Sequence, residues 1–244
     1  MFPRSSMRFN LATCAALVAL LPSALSFSGR VCRIMPLGAS ITYGVGSSDW
    51  NGYRAKLYLA LQKDGNTVNM VGNNPSVNGT FKTDPDTEGW PGYIIDQVAD
   101  KMRQSMPKNR PNIATILVGT NDMTGNIDVA NAPKRLGKLI DDLLAFPPLT
   151  LVIVSSLPPN RNPDFDKRIK AYNAALPAVV QQRANAGRSV MYADCGGLVA
   201  VGDLNSDGTH PKDAAYGRIA QCFYDAIVAA EKKGWIWPVQ GPAP

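Results

Sequence analysis

The sequence predicts an α/β domain, with five parallel β-strands in one sheet and helices on both faces. Three observations predict it. Short apolar runs of strand length alternate five times with segments of helical periodicity. Two of those runs, 113–118 and 149–155, are apolar nearly throughout, as strands covered on both faces must be. The 244 residues, 45% hydrophobic and 18% charged, suffice for one large core.

The first strand is Arg33-Ile34-Met35-Pro36-Leu37-Gly38, which opens through Ala39-Ser40-Ile41-Thr42-Tyr43-Gly44 into a loop rich in Gly and Ser, 44–51. Residues 53–63 read as a helix through the spacing of Leu57, Tyr58 and Leu61, and Asp64-Gly65-Asn66 breaks it. A short strand at 67–71 precedes a long loop, 72–92, rich in Gly, Asn, Pro and Asp. Loops of that length inside compact domains are usually functional or disordered. Helix follows from 93 to about 106, with Ile94, Ile95, Val98 and Met102 on one face, and 107–111 ends it. The strand at 113–118 stops at Gly119-Thr120-Asn121-Asp122. A helix over 132–145, a strand over 149–155, a loop over 158–163 and a helix over 166–183 come next, the last kinked at Pro177. The final strand is 189–193, followed by a loop over 196–208 and a closing helix over 212–232. The Pro/Gly-rich tail from Trp235 is expected to pack loosely. Crossovers should be right-handed. No repeat or linker divides the chain.

The one boundary lies near the start. Arg4 and Arg8 precede the apolar run 11–21, and Ala24 and Ser26 have the spacing of a cleavage site. Residues 1–26 read as a secretory signal, whose apolar run is too short to span a bilayer, and 27–244 as the mature domain. Loss of Arg4 and Arg8 reduces the net charge of +6 to about +4, spread along the chain. That excess reads as a solvated surface, so no nucleic acid and no membrane partner is expected, and the protein is expected to be a monomer. Cys14 leaves with the signal, and Cys32, Cys195 and Cys222 remain. One disulfide and one free thiol are expected outside the cell. Cys195 follows a strand and Cys222 sits in the last helix, which favours that pair and leaves other pairings open, with Cys32 a small hydrophobe in the first strand. Asn78-Gly79-Thr80 is an N-glycosylation sequon in a loop.

Chemistry converges on few residues. Ligands of open α/β sheets bind at the carboxyl edge of the strands, where Ser40 falls. A serine hydroxyl needs a base to become a nucleophile, and the chain holds a single histidine, His210. In Asp207-Gly208-Thr209-His210-Pro211, proline suits the first position of the closing helix, so His210 projects from the loop ahead of it. Gly208 permits a turn in which the Asp207 carboxylate folds back onto one imidazole nitrogen. Oxyanion donors are available from the Ser40 backbone N–H, the Gly92 backbone N–H and the Asn121 amide. Each motif has a plainer reading alone: a capped helix start at 207–211, and ordinary turns at 91–92 and 119–122. Tyr43, Trp50, Trp90 and Tyr93 lie in loops at the same edge, where rings would suit a sugar or would simply pack.

Together these pieces resemble the SGNH hydrolase superfamily, the GDSL-type esterases and lipases. The first block matches Gly38-Ala39-Ser40-Ile41-Thr42, and the glycine block resembles Glu88-Gly89-Trp90-Pro91-Gly92. The third block matches Gly119-Thr120-Asn121-Asp122, and the last matches Asp207 and His210. They occur in the family's order over nearly the whole mature domain. The resemblance implies Ser40 as nucleophile, His210 and Asp207 completing a triad, Gly92 and Asn121 in the oxyanion hole, and a flavodoxin-like three-layer α/β/α sandwich. One departure is Ala39, where the family usually carries Asp, which leaves open how the nucleophile loop is held. The wording Ile-Met-Pro-Leu-Gly-x-Ser-Ile-Thr-Tyr-Gly is similar to secreted fungal members and to family 3 acetylxylan esterases. That implies short-chain, acetyl ester hydrolysis on plant cell-wall polysaccharide, with an acetylated carbohydrate or small ester as partner and no cofactor. A broad-specificity arylesterase or lipase, or a decayed carbohydrate-binding relative, is the competing expectation. One histidine and no Cys-x-x-Cys pair argue against a metal hydrolase. Thr42 stands where an α/β-hydrolase elbow would need glycine.

Overall fold

The structure, a computed structural model, describes residues 27–147 and 150–241. The expected leader, with Cys14, lies outside them. Among the described residues, one all-parallel sheet is built from five main strands: β1 (Val31–Gly38), β2 (Thr67–Met70), β4 (Ile113–Leu117), β5 (Leu151–Ser155) and β6 (Val190–Ala193). Their spatial order is β2-β1-β4-β5-β6, and the two-residue β3 (Glu88–Gly89) pairs with the end of β1. Counting the five main strands alone gives the flavodoxin order, with its reversal between β1 and β4. Helices α2 (Arg54–Lys63) and α7 (Asp213–Glu231) pack together on one face, and α3 (Ile95–Asn109), α5 (Ala132–Ala145) and α6 (Pro163–Asn185) cover the other. β1, β4 and β5 are buried almost throughout, which is why their sequences carry no polar alternation.

Pro36 sits inside the central strand β1, where a missing N–H would ordinarily break the ladder. Its carbonyl accepts from Thr87 Oγ1 at 3.3 Å, so its nitrogen faces that side as well. There β2 ends opposite Ile34 and β3 begins opposite Leu37, so the proline falls in the gap between two partners. This gap also lets β3 bring the 88–93 segment to the end of β1.

Several boundaries differ from the sequence reading. α3 continues through Pro107 to Asn109, because a proline in a last turn forfeits only one bond, and Arg110 N–H still reaches Met106 O at 3.0 Å. α6 begins at Pro163, three residues early, because the Asn162 side chain accepts from Asp164 and Phe165 N–H. Single-turn helices α1 (Ser40–Tyr43) and α4 (Thr120–Thr124) replace loops. The tail is tied down rather than loose: Asn112 Nδ2 donates to Trp237 O at 2.7 Å, Arg33 to Gln240 O at 3.1 Å, and Ile236 is buried.

The 72–87 loop is held by a buried carboxylate. Asp84 Oδ2 accepts from Met70 N–H at 2.6 Å, and burial, with Asp86 nearby, pushes its pKa up to about 6. The folded protein therefore holds this proton more tightly than the unfolded chain. The associated stability is present below about pH 4 and is lost as pH rises through about 6. Asp84→Asn, which keeps the acceptor and abolishes the titration, should flatten that decline in urea midpoints measured from pH 4 to 7. An unchanged slope would mean another group titrates.

Candidate active site

Ser40 is positioned by close packing at the end of β1. A side chain at Gly38 would place its Cβ 2.2 Å from Leu117 O and 2.3 Å from Thr42 Oγ1, so only glycine lets β1 and β4 approach there. Ala39 is buried and offers no side-chain cap to α1. Other groups hold the turn instead. Thr42 Oγ1 donates to Leu117 O, and the buried guanidinium of Arg54 donates to Thr42 O at 3.1 Å, Tyr43 O at 2.9 Å, Trp50 O at 3.3 Å and Pro85 O at 3.3 Å. Burial lowers the Arg54 pKa from its ordinary value. Ser40 itself is buried to 9% exposure, with its backbone N–H at the start of α1.

The histidine arrives on a turn that Asp207 organises. Asp207 Oδ1 accepts from Thr209 N–H at 2.8 Å and His210 N–H at 2.9 Å, with Gly208 at φ +72° supplying the reversal. Asp207 Oδ2 lies 2.8 Å from His210 Nδ1, and His210 Nε2 lies 2.9 Å from Ser40 Oγ. Partial burial alone would raise the Asp207 pKa; the two N–H groups and the imidazole outweigh it and hold the carboxyl below its usual range. Asn160 Nδ2 supports the turn through Thr209 Oγ1 at 2.9 Å, and Arg161 through the Asn205 and Ser206 carbonyls, both at 2.9 Å. Pro211 is not the first helical residue. It pairs with Leu204 as an isolated bridge, Lys212 N–H bonds Asp203 O at 2.8 Å, and α7 starts only at Asp213.

The other expected donors meet at the same edge. Trp90 N–H bonds Gly38 O at 2.9 Å, and Asn121 Nδ2 donates to Tyr93 O at 2.8 Å. Gly92, at φ +84° and exposed, is thereby bracketed between the end of β1 and Asn121. Asp122, fully buried, accepts from Ile95 N–H at 3.1 Å and pairs with Arg135 at 2.7 Å, which joins α4 to the start of α3. Burial raises the Asp122 pKa, with Arg135 and the Ile95 N–H opposing it. Gly119, at φ +123°, lets Tyr172 pack against the turn, its hydroxyl donating to Val118 O at 3.1 Å.

Among the aromatic residues, Trp90 and Tyr93 stack with centroids 5.6 Å apart, flanking Gly92. Buried Glu88 accepts from Trp90 Nε1 at 2.8 Å, and Lys101 Nζ lies 4.5 Å from the indole centroid. Trp50 is 38% exposed with φ +58°. Tyr43 departs from its expected place among substrate-facing rings: it is buried beneath β3, with Gly89 packed on its backbone. Asn78 and Thr80 are exposed, so the sequon is accessible. Cys195 and Cys222 form a disulfide between the segment after β6 and α7. Cys32 is free and buried, its thiol pushed up to about 12 by burial.

Sequence reasoning passed over Arg54, Glu88 and Asp122. Arg54 had a signal: it shares the stripe of Leu57, Tyr58 and Leu61, where a charge is out of place. In the sequence Asp122 reads as a turn residue and Glu88 as part of the glycine block.

A hydroxyl bonded to one imidazole nitrogen, with a carboxylate on the other, is an arrangement for nucleophilic acyl transfer. A profile of the GDSL-like Lipase/Acylhydrolase family matches residues 37–218, which span every residue just described from Gly38 to His210. The chain belongs to that family. The family's description is that of lipases and acylhydrolases. A multidomain esterase of Ruminococcus flavefaciens is 28% identical over 260 aligned residues, covering 96% of this chain and 33% of the relative. A putative endoglucanase X of Acetivibrio thermocellus is 28% identical over 134 residues, covering 53% of this chain and 56% of the relative. The chain thus spans about a third and about half of those two proteins. The solved family 3 carbohydrate esterase of Clostridium thermocellum superposes with a TM-score of 0.73 at 29% identity, over 83% of this chain and 98% of its own. A family 3 carbohydrate esterase from Talaromyces cellulolyticus gives 0.69 at 25% identity, over 82% and 98%. Among the described residues no helix is long and apolar enough to cross a membrane.

Proposed function

We propose that this chain is a secreted serine esterase that removes acetyl and other short acyl groups from plant cell-wall polysaccharide such as acetylated xylan, acting as a monomer. The observation that carries the reading is the unbroken path from Ser40 Oγ through His210 to Asp207, with links of 2.9 and 2.8 Å. The substrate class is supported by the family 3 carbohydrate esterases among its structural relatives and by the stacked Trp90–Tyr93 pair beside Gly92.

In this reading His210 Nε2 takes the Ser40 proton as Oγ attacks the ester carbonyl carbon. Asp207, ionised at neutral pH, accepts from Nδ1–H and fixes the tautomer. The oxyanion is received by the Ser40 and Gly92 N–H groups and by the second amide hydrogen of Asn121, the first being held by Tyr93 O. The imidazolium then protonates the departing sugar oxygen. Water, deprotonated by His210, attacks the acyl-Ser40 carbonyl, releases the acid and restores the serine.

Asn121→Ala should lower kcat on the order of 10²–10³-fold with the fold intact, as removal of one oxyanion donor does elsewhere. A loss of under about fivefold would remove Asn121 from the oxyanion hole. The substrate assignment is tested on acetylated xylan, acetylated pectin and p-nitrophenyl esters of rising chain length. Release of acetate from xylan and a kcat/KM for the acetate ester well above that for the palmitate are expected. Equal rates on acetate and palmitate would contradict the short-acyl assignment.

A further inference from the structure

We infer that Asn205 is a positioning residue that sets the distance between His210 and Ser40 by clamping the loop after the nucleophile to the turn that carries the histidine. The inference rests on the Ser40–His210 reading and extends it. Asn205 Nδ2 donates to Gly46 O at 2.9 Å, to Pro211 O at 3.0 Å and to His210 O at 3.1 Å. The last two acceptors belong to the histidine's own turn, which Asn205 also closes through its backbone: its N–H bonds His210 O at 2.9 Å and its carbonyl accepts from Gly208 at 3.0 Å. The first belongs to the nucleophile loop, 159 residues away in sequence. One amide therefore joins the two segments that hold the reacting atoms.

The surrounding contacts fit a clamp rather than a chance bridge. Gly46, at φ +90°, has no room for a side chain: a Cβ there would lie 2.6 Å from His210 Cβ and 2.8 Å from Asn205 Nδ2. The two backbones are thus seated against each other, and Asn205 is the side chain filling the seam. The same loop is gripped further along from α7, where Tyr216 hydroxyl donates to Val45 O at 2.5 Å and Asp213 accepts from Ser48 N–H at 2.8 Å and Ser48 Oγ at 2.6 Å. Those bonds fix the loop to α7 but do not touch the 205–210 turn. Only Asn205 among these three residues connects Gly46 directly to His210. Because Arg161 and Asp207 hold the turn independently, loss of the Asn205 amide should shift the turn against the nucleophile loop without dissolving it.

The test is Asn205→Ala, with the near-isosteric Asn205→Leu as second variant and Ser40→Ala as control, in full-length secreted protein. Steady-state rates on p-nitrophenyl acetate and the rate of covalent inactivation by a fluorophosphonate are both measured. Misplacement of a base by about an ångström costs up to roughly 10²-fold. kcat and the inactivation rate should therefore fall together by roughly 10- to 100-fold, with KM unchanged and the melting temperature within a few degrees. A folded variant with wild-type kcat, or one that loses only KM, overturns the proposal. If neither variant folds, Asn205 determines the fold rather than the alignment, and the proposal is likewise overturned. Activity surviving in Ser40→Ala would instead bring down the serine–histidine reading on which the inference stands.

Discussion

Turnover of a short acyl ester should fall on the order of 10⁴-fold or more when Ser40 is replaced by alanine. The hydroxyl is the one atom that forms and breaks a covalent bond with the acyl group in the proposed cycle, so no other side chain can stand in for it. The fold should tolerate the change. Position 40 is a buried first helical residue, alanine is the best helix former, and the turn is held by Arg54 and Thr42 through backbone carbonyls that the substitution leaves in place. Binding should also survive, because Gly92, Asn121, Trp90 and Tyr93 are untouched. The expected signature is a collapse in kcat with KM nearly constant and an unchanged thermal midpoint. Initial rates on p-nitrophenyl acetate, with the variant's fold checked by circular dichroism, measure it. A variant retaining a tenth of wild-type activity would assign the chemistry to another residue.

Replacement of His210 by alanine should produce a loss of the same order, about 10⁴-fold or more. The chain has a single histidine, so no second imidazole can take over the proton transfer. The turn should persist, since Asp207 Oδ1 is anchored by the Thr209 and 210 backbone N–H groups rather than by the ring. Groups that act as a unit are not additive when removed together. The Ser40→Ala/His210→Ala double variant should therefore be no slower than either single one, within about threefold. A double variant far below both singles would mean that serine and histidine contribute independently.

Much of this architecture was legible from residue order. Strands covered on both faces declare themselves as apolar runs: 113–118 and 149–155 read as strands, and the structure gives Ile113–Leu117 and Leu151–Ser155, with residue 149 outside the described residues. The helix expected over 132–145 has the observed limits Ala132–Ala145. The order of the blocks around Ser40, Asn121 and His210 matched a family whose profile spans them.

What escaped has a physical reason in each case. α1 and α4 are single turns, too short for any hydrophobic period to register. β3 is two residues long, too short for an alternating pattern to register, and pairs with β1 just past Pro36. The tail's composition suggests loose packing, yet it is fixed by Asn112, whose side chain also bonds the backbones of Val31 and Arg33. Such a residue reads in sequence as one more turn former. Arg54 and Asn205 act through backbone carbonyls of distant segments, and partners of that kind leave no side-chain pattern to match. Ala39, the one departure from the family pattern, leaves α1 without a side-chain cap. The Arg54 and Thr42 bonds provide the anchoring that a side chain at position 39 does not.

The measurement that bears most directly on the central claim is covalent labelling by a fluorophosphonate followed by peptide mapping. The serine–histidine reading predicts one adduct, on Ser40, formed in step with loss of esterase activity and almost abolished in His210→Ala. An adduct on a different residue that abolishes activity, or full activity with Ser40 stoichiometrically modified, would contradict it.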